Sequence, residues 1–165
     1  MVKYIERKKY TTREGKQSVM KFVELEKSQY PLLAKHYVEA YNAPPWFDQW
    51  TETLALEKFH EMMDCRGAYG LVCYDDNDDF AGVILGNPEI YFNCKQFFIK
   101  DFFVPLALQG KGIGSLLLAE FEKRLAAIGI NKVYLFTSTG NRTEGFYIKR
   151  GFDTWSDMVL MGKDI

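Results

Sequence analysis

With 165 residues, 47% of them hydrophobic and 26% charged, the chain has the composition of one globular domain. Its length suffices to bury about 68–70% of the surface of the unfolded chain. Twenty-one basic residues against 22 acidic ones leave a net charge of −1, which excludes the basic footprint of a nucleic-acid-binding or membrane-surface protein. Cys65, Cys73 and Cys94 are an odd count without CxxC spacing, and His36 and His60 form no pair with them, so neither a disulfide framework nor a metal site is expected. Charged residues interrupt the N-terminus and no run of 18 apolar residues occurs, which predicts a cytoplasmic protein with reduced thiols.

In chain order, residues 1 to 17 are basic and polar and end in a turn-like Thr12-Arg13-Glu14-Gly15-Lys16. Val19 to Leu25 reads as a strand, and Ser28 is placed to cap a helix running through Leu33, Tyr37 and Ala40. Pro44 and Pro45 stop that helix; Trp46, Phe47, Asp48 and Trp50 open a second, which continues to about Met63. Ala68 to Tyr74 and Phe80 to Gly86 read as strands joined by Asp75-Asp76-Asn77-Asp78-Asp79. As a calcium loop this run fails, because Phe80 stands where the loop needs Gly and Gly86 where it needs Glu; a solvated hairpin turn is expected.

The stretch from Phe97 to Ile128 is an apolar strand, a loop with Gly110, Gly112 and Gly114, and an amphipathic helix with Leu117, Leu118, Phe121, Leu125 and Ile128 on one face. Glu120 and Arg124 pair at i,i+4 on its other side, and Gly129 ends it. A strand over Lys132 to Thr137 completes a βαβ unit with a parallel pair. A short helix from about Asn141 to Lys149 and one or two strands between Phe152 and Lys163 close the chain.

A glycine loop between strand and helix suits a phosphate-bearing ligand, since glycines let backbone N–H groups approach its oxygens. The nucleotide versions fit poorly. Lys111 is followed by Gly112 and not by Ser or Thr, and GxGxG replaces GxGxxG, with no acid in the next strand. QGKGIG, residues Gln109, Gly110, Lys111, Gly112, Ile113 and Gly114, with Pro105 upstream, resembles the [Q/R]xxGx[G/A] acetyl-CoA motif of the GNAT N-acetyltransferases. The resemblance runs from about residue 18 to the end. It implies an α/β (α+β) fold with a mixed, mostly antiparallel twisted sheet and helices on both faces, over a single domain from 20 to 165. Residues 1–19 would be an extension or an extra edge strand. Acetyl-CoA is implied as co-substrate, a homodimer as the usual assembly, and a small-molecule or peptide amine as partner, with no nucleic acid, membrane or metal.

Amine acylation requires diphosphate binding, oxyanion stabilisation and two proton movements. The 109–114 loop answers the first. The resemblance implies that the pantetheine arm pairs with Phe102, Phe103 and Val104, the Val104 N–H facing the thioester carbonyl, and that Asn141 serves the same arm. In strict alternation Phe97, Ile99, Asp101 and Phe103 share one strand face, which sets a carboxylate among apolar neighbours. Desolvation raises such a pKa from about 3.9 toward that of a useful base; an electrostatic anchor for a cationic acceptor and a plain salt bridge are the alternatives. A strand Asp similarly placed occurs in enzymes resembling aminoglycoside 6'-N-acetyltransferases. Tyr147, in Phe146-Tyr147-Ile148-Lys149-Arg150-Gly151-Phe152, is similar to the FYxxxGF signature whose tyrosine protonates the CoA sulfur. The helix connection implied to cover the acceptor makes Trp46, Phe47 and Trp50 candidate pocket walls, and their rings fit equally well as pins between helices. The reading is acetyl-CoA-dependent N-acetylation by direct attack in a ternary complex. Its rivals are a non-catalytic acyl-CoA-binding sensor or interaction module, and a nucleotide-binding protein.

Overall fold

The computed structural model describes residues 5–11, 15, 17–44, 46–140 and 142–165. The chain divides into two units, Met1–Leu135 and Phe136–Ile165. The first holds one mixed sheet of six strands laid down in chain order: β1 (Glu6–Thr11), β2 (Gln17–Glu24), β3 (Tyr69–Tyr74), β4 (Phe80–Tyr91), β5 (Cys94–Phe103) and β6 (Lys132–Leu135). Neighbours are antiparallel except β5 and β6, whose parallel pairing joins Gln96–Ile99 to Lys132–Leu135. β1 forms one edge of the sheet. Between β2 and β3 come α1 (Tyr30–Tyr41) and α2 (Glu52–Met63), and between β5 and β6 comes α3 (Ile113–Ala127).

β4 is buried along its first eight residues, as a central strand covered on both faces must be. One face meets α1 and α2: Leu33, Ala34 and Tyr37 of α1 and Ala55, Phe59 and Met62 of α2 form one core with Val72, Val83, Leu85 and Phe103. The other face meets α3, where Phe121 packs on Tyr69 and Phe97 at 5.7 and 5.4 Å between ring centroids. Gly82, whose side chain would fall on this face, leaves the room that Leu117 and the end of β5 occupy.

A bulge on β5 decides which face of the sheet Asp101 takes. Ile99 pairs with Gly86 and Asp101 with Leu85, so Lys100 has no partner on β4. Up to Ile99 the odd-numbered residues face α3; from Asp101 on they face α1 and α2. Strict alternation therefore fails here: Phe97 touches Phe121 of α3, whereas Phe103 touches Tyr37 and Tyr41 of α1. Gly86 allows the bulge, because a Cβ there would collide with the Phe98 carbonyl oxygen.

Several local expectations also change. Ser28 lies in a 3-10 turn, Lys27–Gln29, that precedes α1 and is closed by a reciprocal box between Glu26 and Gln29. α2 opens at Glu52, not at Asp48, because the Thr51 hydroxyl accepts the Leu54 N–H at 3.2 Å. Glu120 and Arg124 pair at 2.8 Å and are buried, and Lys8 of β1 reaches Glu120 at 2.7 Å. Ile128 is 52% exposed, one residue past the end of α3. The acidic run is a turn in which Asp75 Oδ1 accepts the N–H groups of Asn77 and Asp79.

In the second unit, α4 (Glu144–Ile148) is shorter than expected, and residues 152–165 form no strand. The run Met158 to Met161 has the composition of a strand but is exposed, without the neighbouring strand that such a run needs.

Candidate active site

The bulge turns Asp101 toward a box of rings. The residue is 5% exposed. Its Oδ1 accepts the Tyr41 hydroxyl at 2.9 Å, and its Oδ2 lies 2.9 Å from Lys58 Nζ. The second contact is an ion pair without good hydrogen-bond direction, so Oδ2 keeps unused acceptor capacity inside the protein. Lys58 Nζ also donates to Tyr37 Oη at 2.6 Å and stands 4.8 and 5.1 Å from the ring centroids of Tyr37 and Trp50, within cation–π range. Burial raises the Asp101 carboxyl pKa above its ordinary value, against the opposing pull of Lys58 and Tyr41. The Tyr37 phenol is held protonated by burial first and by the Asp101 charge second.

Tyr37 and Tyr41 reach this acid because they stand one helical turn apart on the inner side of α1, 4.3 Å between ring centroids. Trp50 is fixed by its backbone: its N–H donates to Asn42 Oδ1 at 2.8 Å, and its carbonyl accepts from Asn42 Nδ2 at 2.9 Å. It meets Tyr37 edge-on at 5.1 Å, which pins the connection between the two helices to α1. Trp46, 42% exposed, stands 6.1 Å from Tyr41 at the rim. Phe47 is different. It is 68% exposed with φ +54, a conformation that costs a bulky residue about 1–3 kcal/mol.

Past Ile99 the strand keeps β4 as a neighbour and loses β6. The pairing of β5 with β6 stops at Ile99, while β5 continues through Phe103. Phe103 is buried against α1, Phe102 is half-buried, and Val104 is buried against the space that Gly82 leaves. A 3-10 turn, Leu106–Leu108, then leads to the glycine loop, and Gln109 Nε2 ties the loop back to Val104 O at 3.1 Å. Gly110 and Gly112 have φ +75 and +88, with open space where side chains would stand. Gln109, Gly110, Lys111 and Gly112 are exposed, Ile113 is buried, and α3 closes its first turn with Leu116 N–H on Gly112 O. The opening N–H groups of a helix have no acceptor within it, and its dipole favours an anion there.

An acetyltransferase (GNAT) domain model matches residues 32–161. The chain belongs to the GNAT acetyltransferase family. Solved structures share the GNAT fold at low identity. An integron cassette protein from the mobile metagenome of V. cholerae is 16% identical with a TM-score of 0.72, over 88% of this chain and 92% of that one. A Trypanosoma brucei acetyltransferase is 21% identical with a TM-score of 0.65, over 88% and 99%. An aminoglycoside acetyltransferase from an uncultured soil metagenomic sample is 15% identical with a TM-score of 0.62, over 88% and 97%. Among curated proteins no sequence matches.

The first unit of this GNAT chain thus brings Asp101 together with Trp50 and, at the rim, Trp46, and joins Val104 to Gln109. Phe47 stays outside that group. Tyr147 lies on α4 in the second unit, where it packs edge-on against Phe146 and Phe152 at 5.1 and 5.4 Å. Asn141 lies outside the described residues. Sequence reasoning missed Tyr41 and Lys58. Tyr41 carries a weak signal, four residues after Tyr37; Lys58 carries almost none, since one lysine in a helix ordinarily faces water. Among the described residues no group of His, Cys, Asp and Glu is placed to hold a metal ion, and no helix is long and apolar enough to cross a membrane.

Proposed function

We propose that this chain transfers the acetyl group of acetyl-CoA to a primary amine of a small molecule or peptide, by direct attack in a ternary complex. The observation that carries the reading is a buried carboxylate with acceptor capacity to spare, three residues before Val104 and on the strand that leads into the glycine loop. An approaching ammonium finds at Asp101 a counter-charge and a proton acceptor, with Trp50 and Trp46 to cover its carbon chain. The GNAT family generally uses acetyl-CoA. Here the loop from Gln109 to Gly114 would hold its diphosphate with backbone N–H groups, and Phe102, Phe103 and Val104 would border the pantetheine arm. A Val104 N–H aimed at the thioester oxygen would contribute about 2.7–4 kcal/mol in the transition state. Tyr147 is the proposed donor of a proton to the leaving thiolate.

One observation favours the non-catalytic acyl-CoA-binding reading: Asp101 already has a partner in Lys58. Binding and turnover separate the two. Acetyl-CoA at 100 times its dissociation constant adds about 2.7 kcal/mol of stability. For a domain of this size that raises Tm by roughly 5–11 °C, and NAD at the same concentration should not. The enzyme reading expects, in addition, amine-dependent release of CoA that Asp101→Asn and Tyr147→Phe suppress. A Tm rise with no amine that speeds CoA release would leave the sensor; no Tm rise at saturating acetyl-CoA would end both.

A further inference from the structure

A primary amine of the chain itself already stands at the carboxylate to which the acceptor amine is assigned. Lys58 Nζ is 2.9 Å from Asp101 Oδ2 and is flanked by the Tyr37 and Trp50 rings, which is the environment a substrate ammonium would be given. Its side chain is 29% exposed, in contrast to the 3% of the Asp101 side chain. Lys21 and Lys27 pair instead with acids that water reaches, Asp78 and Asp64, and Lys123 pairs with Glu6. Lys8 and, at 3.7 Å, Lys123 do meet a buried acid, Glu120, but on α3 and therefore on the opposite face of the sheet, where no acyl donor is expected. Lys58 also points at the one carboxylate oxygen of Asp101 that lacks a well-directed hydrogen bond.

We propose that Lys58 is a self-acetylation site: with acetyl-CoA bound and no acceptor present, its amine takes the acetyl group. The inference rests on the acetyltransferase reading of this site. Asp101 accepts one proton from the Lys58 ammonium, and the neutral Nζ attacks the thioester carbonyl carbon. The N–C bond forms as the C–S bond breaks. A second proton from nitrogen reaches the departing thiolate, giving CoA thiol; the third remains on the amide, and the proton held by Asp101 passes to water. No oxidant, reductant or further reactant is needed. The product carries no charge at Nζ, leaves Asp101 without its counter-ion and fills the cage with an acetamide. An acceptor amine competes with Lys58 for the same carboxylate, so its presence suppresses the modification. Acetyl-CoA left without an acceptor is thereby converted into a block on the acceptor position.

The test is incubation of the whole chain with isotope-labelled acetyl-CoA and no acceptor, followed by intact-mass and peptide mass spectrometry, with Tm measured alongside. Lys58 should be labelled at least about 10-fold faster than exposed Lys35 or Glu120-bound Lys8, at a rate independent of protein concentration, because the amine is held at the reacting group. Asp101→Asn should abolish the excess at Lys58 and leave Lys35 unchanged; Lys58→Arg should remove the site and keep the Tm rise with acetyl-CoA. Labelling of Lys58 no faster than Lys35, in a chain that acetyl-CoA does stabilise, overturns self-acetylation and leaves the cofactor reading standing. Uniform labelling with no stabilisation overturns both. A rate at Lys58 that grows with protein concentration also overturns it, since the transfer would then run between molecules.

Discussion

The glycine loop and the acid cage, a few residues apart on the same stretch of chain, are built in opposite ways. The loop is contiguous, exposed and made of backbone: two positive-φ glycines and a helix start in six residues. The cage is scattered and buried, and consists of side chains from α1, the α1–α2 connection, α2 and β5: Tyr37, Tyr41, Trp50, Lys58 and Asp101. A backbone site serves whatever bears the common group, a diphosphate in the proposed function, and depends little on which side chains surround it. The cage can change with single substitutions, so in the same proposal the acceptor would be chosen there.

If that division is right, damage to each region has its own signature. The largest expected effect is on turnover: Asp101→Asn should lower kcat/KM for an amine acceptor about 10²–10⁴-fold with the acetyl-CoA-induced Tm rise intact, as for loss of a general base. A fall confined to higher KM would make Asp101 an anchor for the ammonium only. Next comes the device that places the acid. Gly86→Val should destabilise by about 3 kcal/mol or more, read as a urea-midpoint shift, because its side chain meets the backbone of Phe98.

Lys58→Met leaves a buried carboxylate without its counter-ion, which costs roughly 3–5 kcal/mol at neutral pH. The sign with pH follows from the raised Asp101 pKa. Below the unfolded-state value, about 3.9, the carboxyl is neutral in both states and costs nothing; the cost grows as pH rises through that value and levels off above the folded pKa. Urea midpoints of the variant and the parent should therefore converge toward acid pH. In the loop, Gly112→Val forces a β-branched residue to φ +88 and should cost about 1–3 kcal/mol while weakening the response to acetyl-CoA and sparing the cage. The smallest effect belongs to Phe47: replacement by Gly, which accepts its positive φ, should leave stability within about 1 kcal/mol of the parent or raise it. A large rise in KM for the acceptor would move Phe47 into the pocket.

The loop was legible in sequence because its information is local: Gln109 to Gly114 state their own geometry, with a strand before them and a helix after. The order of strands and helices was legible for the same reason, from alternation and helical spacing. The cage was not. Asp101 stood out as an acid in an apolar strand, but its face was misread because no composition marks Lys100 as the bulged residue, and its partners are brought to it only by the packing of α1 and α2. Lys58 was invisible because a lysine is ordinarily solvated, and only the structure shows the carboxylate and rings around it. The expected strands after Phe152 fail for a related reason: an apolar run shows a wish for a neighbour, not the neighbour itself.

The unpaired Lys100 has a consequence for reading relatives of this chain. One residue more or fewer between Ile99 and Asp101 exchanges the two faces of everything that follows on β5, so a relative without the bulge would carry its acid one position away from Asp101. Aligned by residue order, such a pair would seem to differ in the acid when they share it. Their correspondence has to be drawn by which side of the sheet a carboxylate occupies, and a missing aspartate in the aligned column is no evidence of lost chemistry.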